Sequence, residues 1–168
     1  MHNIGDKIVY GANGVMTIAD IREESIGDIS RKYYVLSPAL VRSNSLTFVP
    51  TDNEKLVAAM RPLLTREEII ALISESKNAP ALDWVKENRA RQERFKKILD
   101  SGDRGMLIAM IRAIEECAIR REAEGKKNFL ADEGVKVRAE KLLISEFSIV
   151  LGIPEDEVKD FVASKPAE

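Results

Sequence analysis

The 168-residue chain has one cysteine (Cys117), one histidine (His2) and one tryptophan (Trp84), and aromatic residues make up only 5% of it. A single thiol excludes an intramolecular disulfide and suits a reducing compartment. A single imidazole next to Met1 leaves no second histidine for a metal or catalytic site. No apolar run approaches the ~18 residues of a membrane span. Met1 to Asp6 lack the charged and apolar regions of a secretion signal, so a cytoplasmic protein without membrane contact is expected. Lys and Arg number 26 against 28 Asp and Glu, for a net charge of −2. That balance excludes coating nucleic acid by bulk positive charge, and any such contact must come from a local patch. Gly125-Lys126-Lys127 lacks the spacing and the preceding strand of a phosphate loop, and no carboxylates fall into a catalytic frame. No enzyme, metal or cofactor is expected.

What is present divides into two patterns. Ile8 to Tyr10, Val15 to Ile21, Tyr33 to Ser37 and Leu46 to Val49 are short runs rich in β-branched and aromatic residues. Gly, Asn, Asp and Ser separate them, as in closely connected antiparallel strands. Gly11 and Asn13-Gly14 permit positive φ at the first turn, Gly27-Asp28 marks the next, and Pro50 ends the last run. Near residues 50–65 the apolar period changes to helical. The boundaries expected are a β module over 1–60 and an all-α domain over 65–168.

In the second part Thr65-Arg66-Glu67-Glu68 has capping-box spacing and predicts a helix to about Ser76, broken by Asn78-Ala79-Pro80. A second helix is expected from near Asp83 to about Leu99, with Phe95, Ile98 and Leu99 inward and a stop at Ser101-Gly102-Asp103. Asp103 caps a third, in which Leu107, Met110, Ile111, Ile114 and Ala118 form a continuous apolar face, ending near Gly125. Asp132 is expected to cap a fourth that ends at Gly152. Pro154 starts a short fifth whose first turn is acidic. Cys117 lies close to an apolar face and reads as a small buried residue.

Trp84 precedes a locally basic stretch containing Lys86, Arg89, Arg91, Arg94, Lys96 and Lys97, with Glu87 and Glu93 as the acids. The plain reading is a core anchor followed by a solvated charged face. The sharper one is a wedge, in which Trp84 stacks on a partly unstacked base step while Lys86, Arg89, Lys96 and Lys97 meet phosphates.

Gly5-Asp6-Lys7-Ile8-Val9-Tyr10, a small turn ending in Gly14-Val15, Tyr33-Tyr34-Val35-Leu36 and Phe48-Val49-Pro50 together resemble the amino-terminal module of CarD-like (CdnL-type) bacterial transcription regulators. The same module occurs in the RNA-polymerase-interacting domain of transcription-repair coupling factors. Trp84, Ser101-Gly102-Asp103, Gly125-Lys126-Lys127 with Asp132-Glu133, Glu140 to Leu143 and Glu146-Phe147 are similar to that family's helical half. The resemblance implies an α+β protein: a small bent, Tudor-like antiparallel β-barrel, then about five helices. It implies docking on the β subunit of RNA polymerase through an exposed strand edge and nearby side chains, for which Arg22, Arg42, Phe48, Val49 and Pro50 are the candidates. It also implies that Trp84 is a wedge at the upstream edge of the transcription bubble, stabilising the promoter open complex with little sequence readout.

Two departures from the family stand out. Phe48 occupies a position where some members carry arginine, so that arginine's contact does not transfer, and Phe48 itself reads either as core or as part of the docking surface. The stretch from Trp84 to Ser101 is about one helical turn longer than in the better-known members. The rival reading is a polymerase-associated adaptor whose helices contact only protein. A monomer is expected, with a strand-exchanged dimer as the alternative.

Overall fold

The computed structural model describes residues 1–167, which fall into two compact units, Met1–Leu63 and the chain from Leu64 onward. The first unit is an antiparallel sheet of five strands: β1 (Lys7–Tyr10), β2 (Val15–Ile26), β3 (Ile29–Pro38), β4 (Thr47–Pro50) and β5 (Met60–Pro62), in the order β4-β3-β2-β1-β5. Gly11 and Gly14, at φ 50° and 75°, turn β1 into β2. Gly27, at φ 63°, turns β2 into β3 directly after the Ile26↔Ile29 pair.

The register slips between Ile18 and Asp20, leaving Ala19 as an extra residue that bends the sheet. The bend gathers Ile8, Met16, Ile18, Tyr34, Leu36, Val49 and Met60 into one buried cluster.

The barrel expected from the sequence is not closed. β4 and β5 are the two edges, and no β4–β5 ladder joins them. Between them in the chain lies α1 (Glu54–Ala58), which packs on both edge strands and applies Leu56 and Val57 to the core. Asn53 caps it, its side chain accepting from the Leu56 amide at 3.1 Å. A helical plug thus covers apolar surface that closure would otherwise bury. The result is an open, bent sheet.

The second unit is helical: α2 (Arg66–Asn78), α3 (Asn88–Ser101), α4 (Arg104–Ala123), α5 (Leu130–Leu151) and α6 (Glu155–Ser164). Thr65 and Glu68 form the capping box, Asp103 caps α4 through the Met106 amide, and Gly102 and Gly152 end α3 and α5 in the left-handed conformation. Ile69, Ile73, Phe95, Leu107, Met110, Ile114, Val135, Ala139, Phe147 and Val158 belong to its core. Across the unit Glu146, almost wholly buried, accepts from the Leu64 amide at 2.9 Å and from Arg104 Nη2 at 2.7 Å. This carboxylate ties the lead into α2 and the first turn of α4 to α5.

Two caps differ from the sequence expectation. The second helix starts at Asn88, not near Asp83. Residues 79–87 are irregular because the Leu82 amide donates to Ala109 of α4 at 3.1 Å instead of opening a helical ladder. Glu87 takes the N-cap role, accepting from the Arg89 and Ala90 amides at 3.0 and 2.6 Å. Asp132 does not cap α5. Phe129 holds that position, and Asp132, one turn in and 2% exposed, faces the guanidinium of Arg91. Among the described residues no helix is long and apolar enough to cross a membrane.

Candidate functional site

In the first unit the outer strand β4 places Phe48 on the surface, 42% exposed. Its ring meets Tyr33 edge-on at 6.1 Å between centroids, and the Arg22 guanidinium lies 5.2 Å over it. Arg22 and Tyr33 are themselves paired across β2 and β3, so three strands contribute to one cation–aromatic cluster. Arg22 also pairs with Glu24 at 2.8 Å. Val49, by contrast, is wholly buried and offers this surface no side chain. Arg42 is exposed on the segment before β4, which also exposes Leu40, Val41 and Leu46.

The main chain of β4 has a definite polarity of use. The Thr51 amide donates to Lys32 at 3.0 Å. Antiparallel alternation therefore turns Thr47 and Val49 toward β3, and Phe48 and Pro50 outward. Pro50 has no amide hydrogen, and its carbonyl accepts from Asn53 at 3.2 Å. Within β4 the outward donor and unclaimed outward carbonyl both belong to Phe48.

In the second unit Trp84 lies in the irregular stretch before α3. It is half-buried, its ring 6.3 Å from Phe95 in an edge-on contact at the rim of the core. The Arg91 guanidinium lies 4.8 Å from the Trp84 ring centroid and 4.8 Å from that of Phe129. Arg121 follows, 3.9 Å over the Phe129 ring. Aromatic and cationic groups thus alternate in a stack drawn from the α3 approach, α3, the α5 cap and α4.

Lys86, Arg89, Lys96 and Lys97 are all exposed. Arg89 pairs with Glu93 at 3.3 Å, and Lys96 with Asp100 at 2.8 Å, both one helical turn apart. That face of α3 therefore alternates in charge, leaving Lys86 and Lys97 as the stronger contributors of positive potential. Glu87, next to Lys86 in the chain, has its carboxyl held below the usual range, first by the Ala90 amide, then by that of Arg89. Cys117 is buried, and among the described residues no cluster of His, Cys, Asp or Glu could hold a metal ion.

Residues 2–64 match the CarD-like/TRCF RID domain. The match spans the amino-terminal unit. Over its whole length the chain is also similar to YdeB, a candidate transcription factor of Bacillus subtilis (strain 168), at 25% identity over 164 residues, covering 96% of this chain and 99% of YdeB.

The edge strand of the amino-terminal unit thus carries Phe48, over which Arg22 of β2 lies, while Arg42 stands apart on the preceding segment. Sequence reasoning assigned no role to Tyr33, α1 or β5 in shaping this edge, and it grouped Arg91 with the solvated cations. Helical periodicity gives a signal for Arg91, which shares the inward side of α3 with Phe95, Ile98 and Leu99.

Proposed function

We propose that this protein is a non-enzymatic transcription regulator that docks on RNA polymerase through its RID unit and stabilises the promoter open complex through Trp84. The observation that carries the reading is the RID match over residues 2–64 joined to full-length similarity with a candidate transcription factor. Docking on the polymerase β subunit uses the β4 edge. A partner strand meets the outward main chain of Phe48, and its side chains meet the Arg22–Phe48–Tyr33 cluster.

The helical unit then acts at promoter DNA. The accessible part of Trp84 stacks on an unstacked base step at the upstream edge of the bubble, and Lys86 and Lys97, with Arg89 and Lys96 more weakly, engage phosphates irrespective of sequence. Tethering to polymerase raises the local concentration of this unit at the promoter, so neither contact needs to be strong. A wedge that prefers the opened junction by about 1.4 kcal/mol shifts the open-to-closed ratio tenfold.

The second reading, an adaptor whose helices contact only protein, draws on the packing of Trp84 against Phe95. One experiment separates them: the lifetime of open complexes formed by the cognate polymerase, measured without the protein, with it, and with Trp84→Ala. Base–aromatic stacking is worth about 1–3 kcal/mol, so the wedge reading expects Trp84→Ala to lose roughly fivefold to a hundredfold of that lifetime while keeping polymerase binding. A folded Trp84→Ala protein with the parental lifetime selects the adaptor.

A further inference from the structure

Arg91 is the basic side chain of the 86–97 stretch that is fully withdrawn from solvent, at 1% exposure. Its Nε donates to both oxygens of Asp132, at 3.0 and 3.2 Å, and its Nη2 to Asn88 Oδ1 at 3.0 Å. Its Nη1 donates to the carbonyls of Val85 and Lys86, both at 3.1 Å, which immediately follow Trp84 in the chain. The same guanidinium plane has the Trp84 ring 4.8 Å away and Phe129 equally far. One side chain thus fixes both the backbone after Trp84 and the position of its ring.

A buried ion pair is a weak source of net stability, since well-packed apolar residues of similar volume often do as well or better. What this pair supplies is geometry. The segment carrying Trp84 lacks helical hydrogen bonds of its own, and the planar fork of arginine holds two carbonyls and one ring at once, which the point charge of lysine does not.

We infer that Arg91 is the positioning residue for Trp84, holding the ring in one orientation before any partner arrives. The inference rests on the wedge reading above. An aromatic group ordered in advance loses less conformational freedom on insertion, so the preference for opened DNA depends on Arg91 although Arg91 does not reach the DNA.

The test uses the full chain with Arg91→Lys, assayed well below its melting temperature. Trp84 is the sole tryptophan, so nanosecond fluorescence anisotropy reports on it alone. The parent ring should turn only with the protein. In Arg91→Lys a fast independent motion should appear, open-complex lifetime should fall about threefold to tenfold, and polymerase binding should stay unchanged. The double variant Trp84→Ala, Arg91→Lys should lose no more lifetime than Trp84→Ala, because Arg91 acts through Trp84. If Arg91→Lys does not fold, Phe129→Leu, which keeps the ion pair and removes one face of the stack, carries the same measurements.

A folded variant with an immobile Trp84 and the parental lifetime overturns the inference, as does a double variant that loses more than Trp84→Ala. If Trp84→Ala alone keeps the parental lifetime, the wedge reading falls and takes this inference with it. If Trp84→Ala loses the effect while the Arg91 and Phe129 variants do not, the wedge stands and only the positioning role is rejected.

Discussion

Glu87 joins the acid–base chemistry of the molecule to the position of its tryptophan. Its carboxylate accepts from the first amides of α3, and only the ionised form accepts from both. Its folded pKa lies below the unfolded value. The cap therefore contributes fully above the unfolded value and is lost as pH falls through the folded one. Acidification should loosen the start of α3 and alter Trp84 emission. Glu87→Ala should show the altered emission already at neutral pH and lose that pH dependence.

The exposed cations differ in a comparable way. Charge reversal at Lys97 should weaken DNA association and lower the salt slope by about one. Reversal at Arg89 should do less, since Glu93 already offsets part of its charge. Cys117→Ser should leave polymerase and DNA activities intact at a stability cost of about 1–3 kcal/mol, read from denaturant midpoints, because a hydroxyl is harder to bury than a thiol.

Among the elements, those with a strong repeating pattern were legible in the sequence. Val15 to Ile21 and Tyr33 to Ser37 gave the central hairpin, and the runs around Ile114 and Phe147 gave α4 and α5, because period and burial agree there. α1 and β5 carry five and three residues, too few for a period to declare itself, and the open sheet depends on both. The start of α3 was missed because Asp83 and Glu87 can each cap a helix. A tertiary bond, Leu82 to Ala109, decides between them. Of the candidate docking side chains, sequence order could not tell that Val49 points into the core while its neighbour Phe48 points out, since that depends on which face of the bent sheet is filled. Phe48→Ala should weaken polymerase binding about tenfold in a titration and leave thermal stability unchanged, as expected of an exposed aromatic anchor.

At the scale of the whole molecule, the cores of the two units are made from separate stretches of chain, one closed by α1 and the other by α2 to α6. Fragments ending at Leu63 and starting at Leu64 should each fold, seen as dispersed NMR spectra, and the first should retain polymerase β-subunit binding in a pull-down. Phe95→Ala in the full chain should destabilise the helical unit by about 3–5 kcal/mol without changing the spectrum of the sheet.

The brevity of β4, and the proline that ends it, has a kinetic meaning. On the docking proposed above, a partner strand laid along it would find the amide of Phe48 but none at Pro50, so the main chain would contribute few bonds and the union would be short-lived. With association at about 10⁵–10⁷ M⁻¹s⁻¹, a dissociation constant of about 1 μM would correspond to a bound lifetime of roughly 0.1 to 10 seconds. On that docking, a regulator held so briefly would depart with each round of initiation and be shared among many polymerases, and its cellular abundance would set how many promoters feel it at any moment.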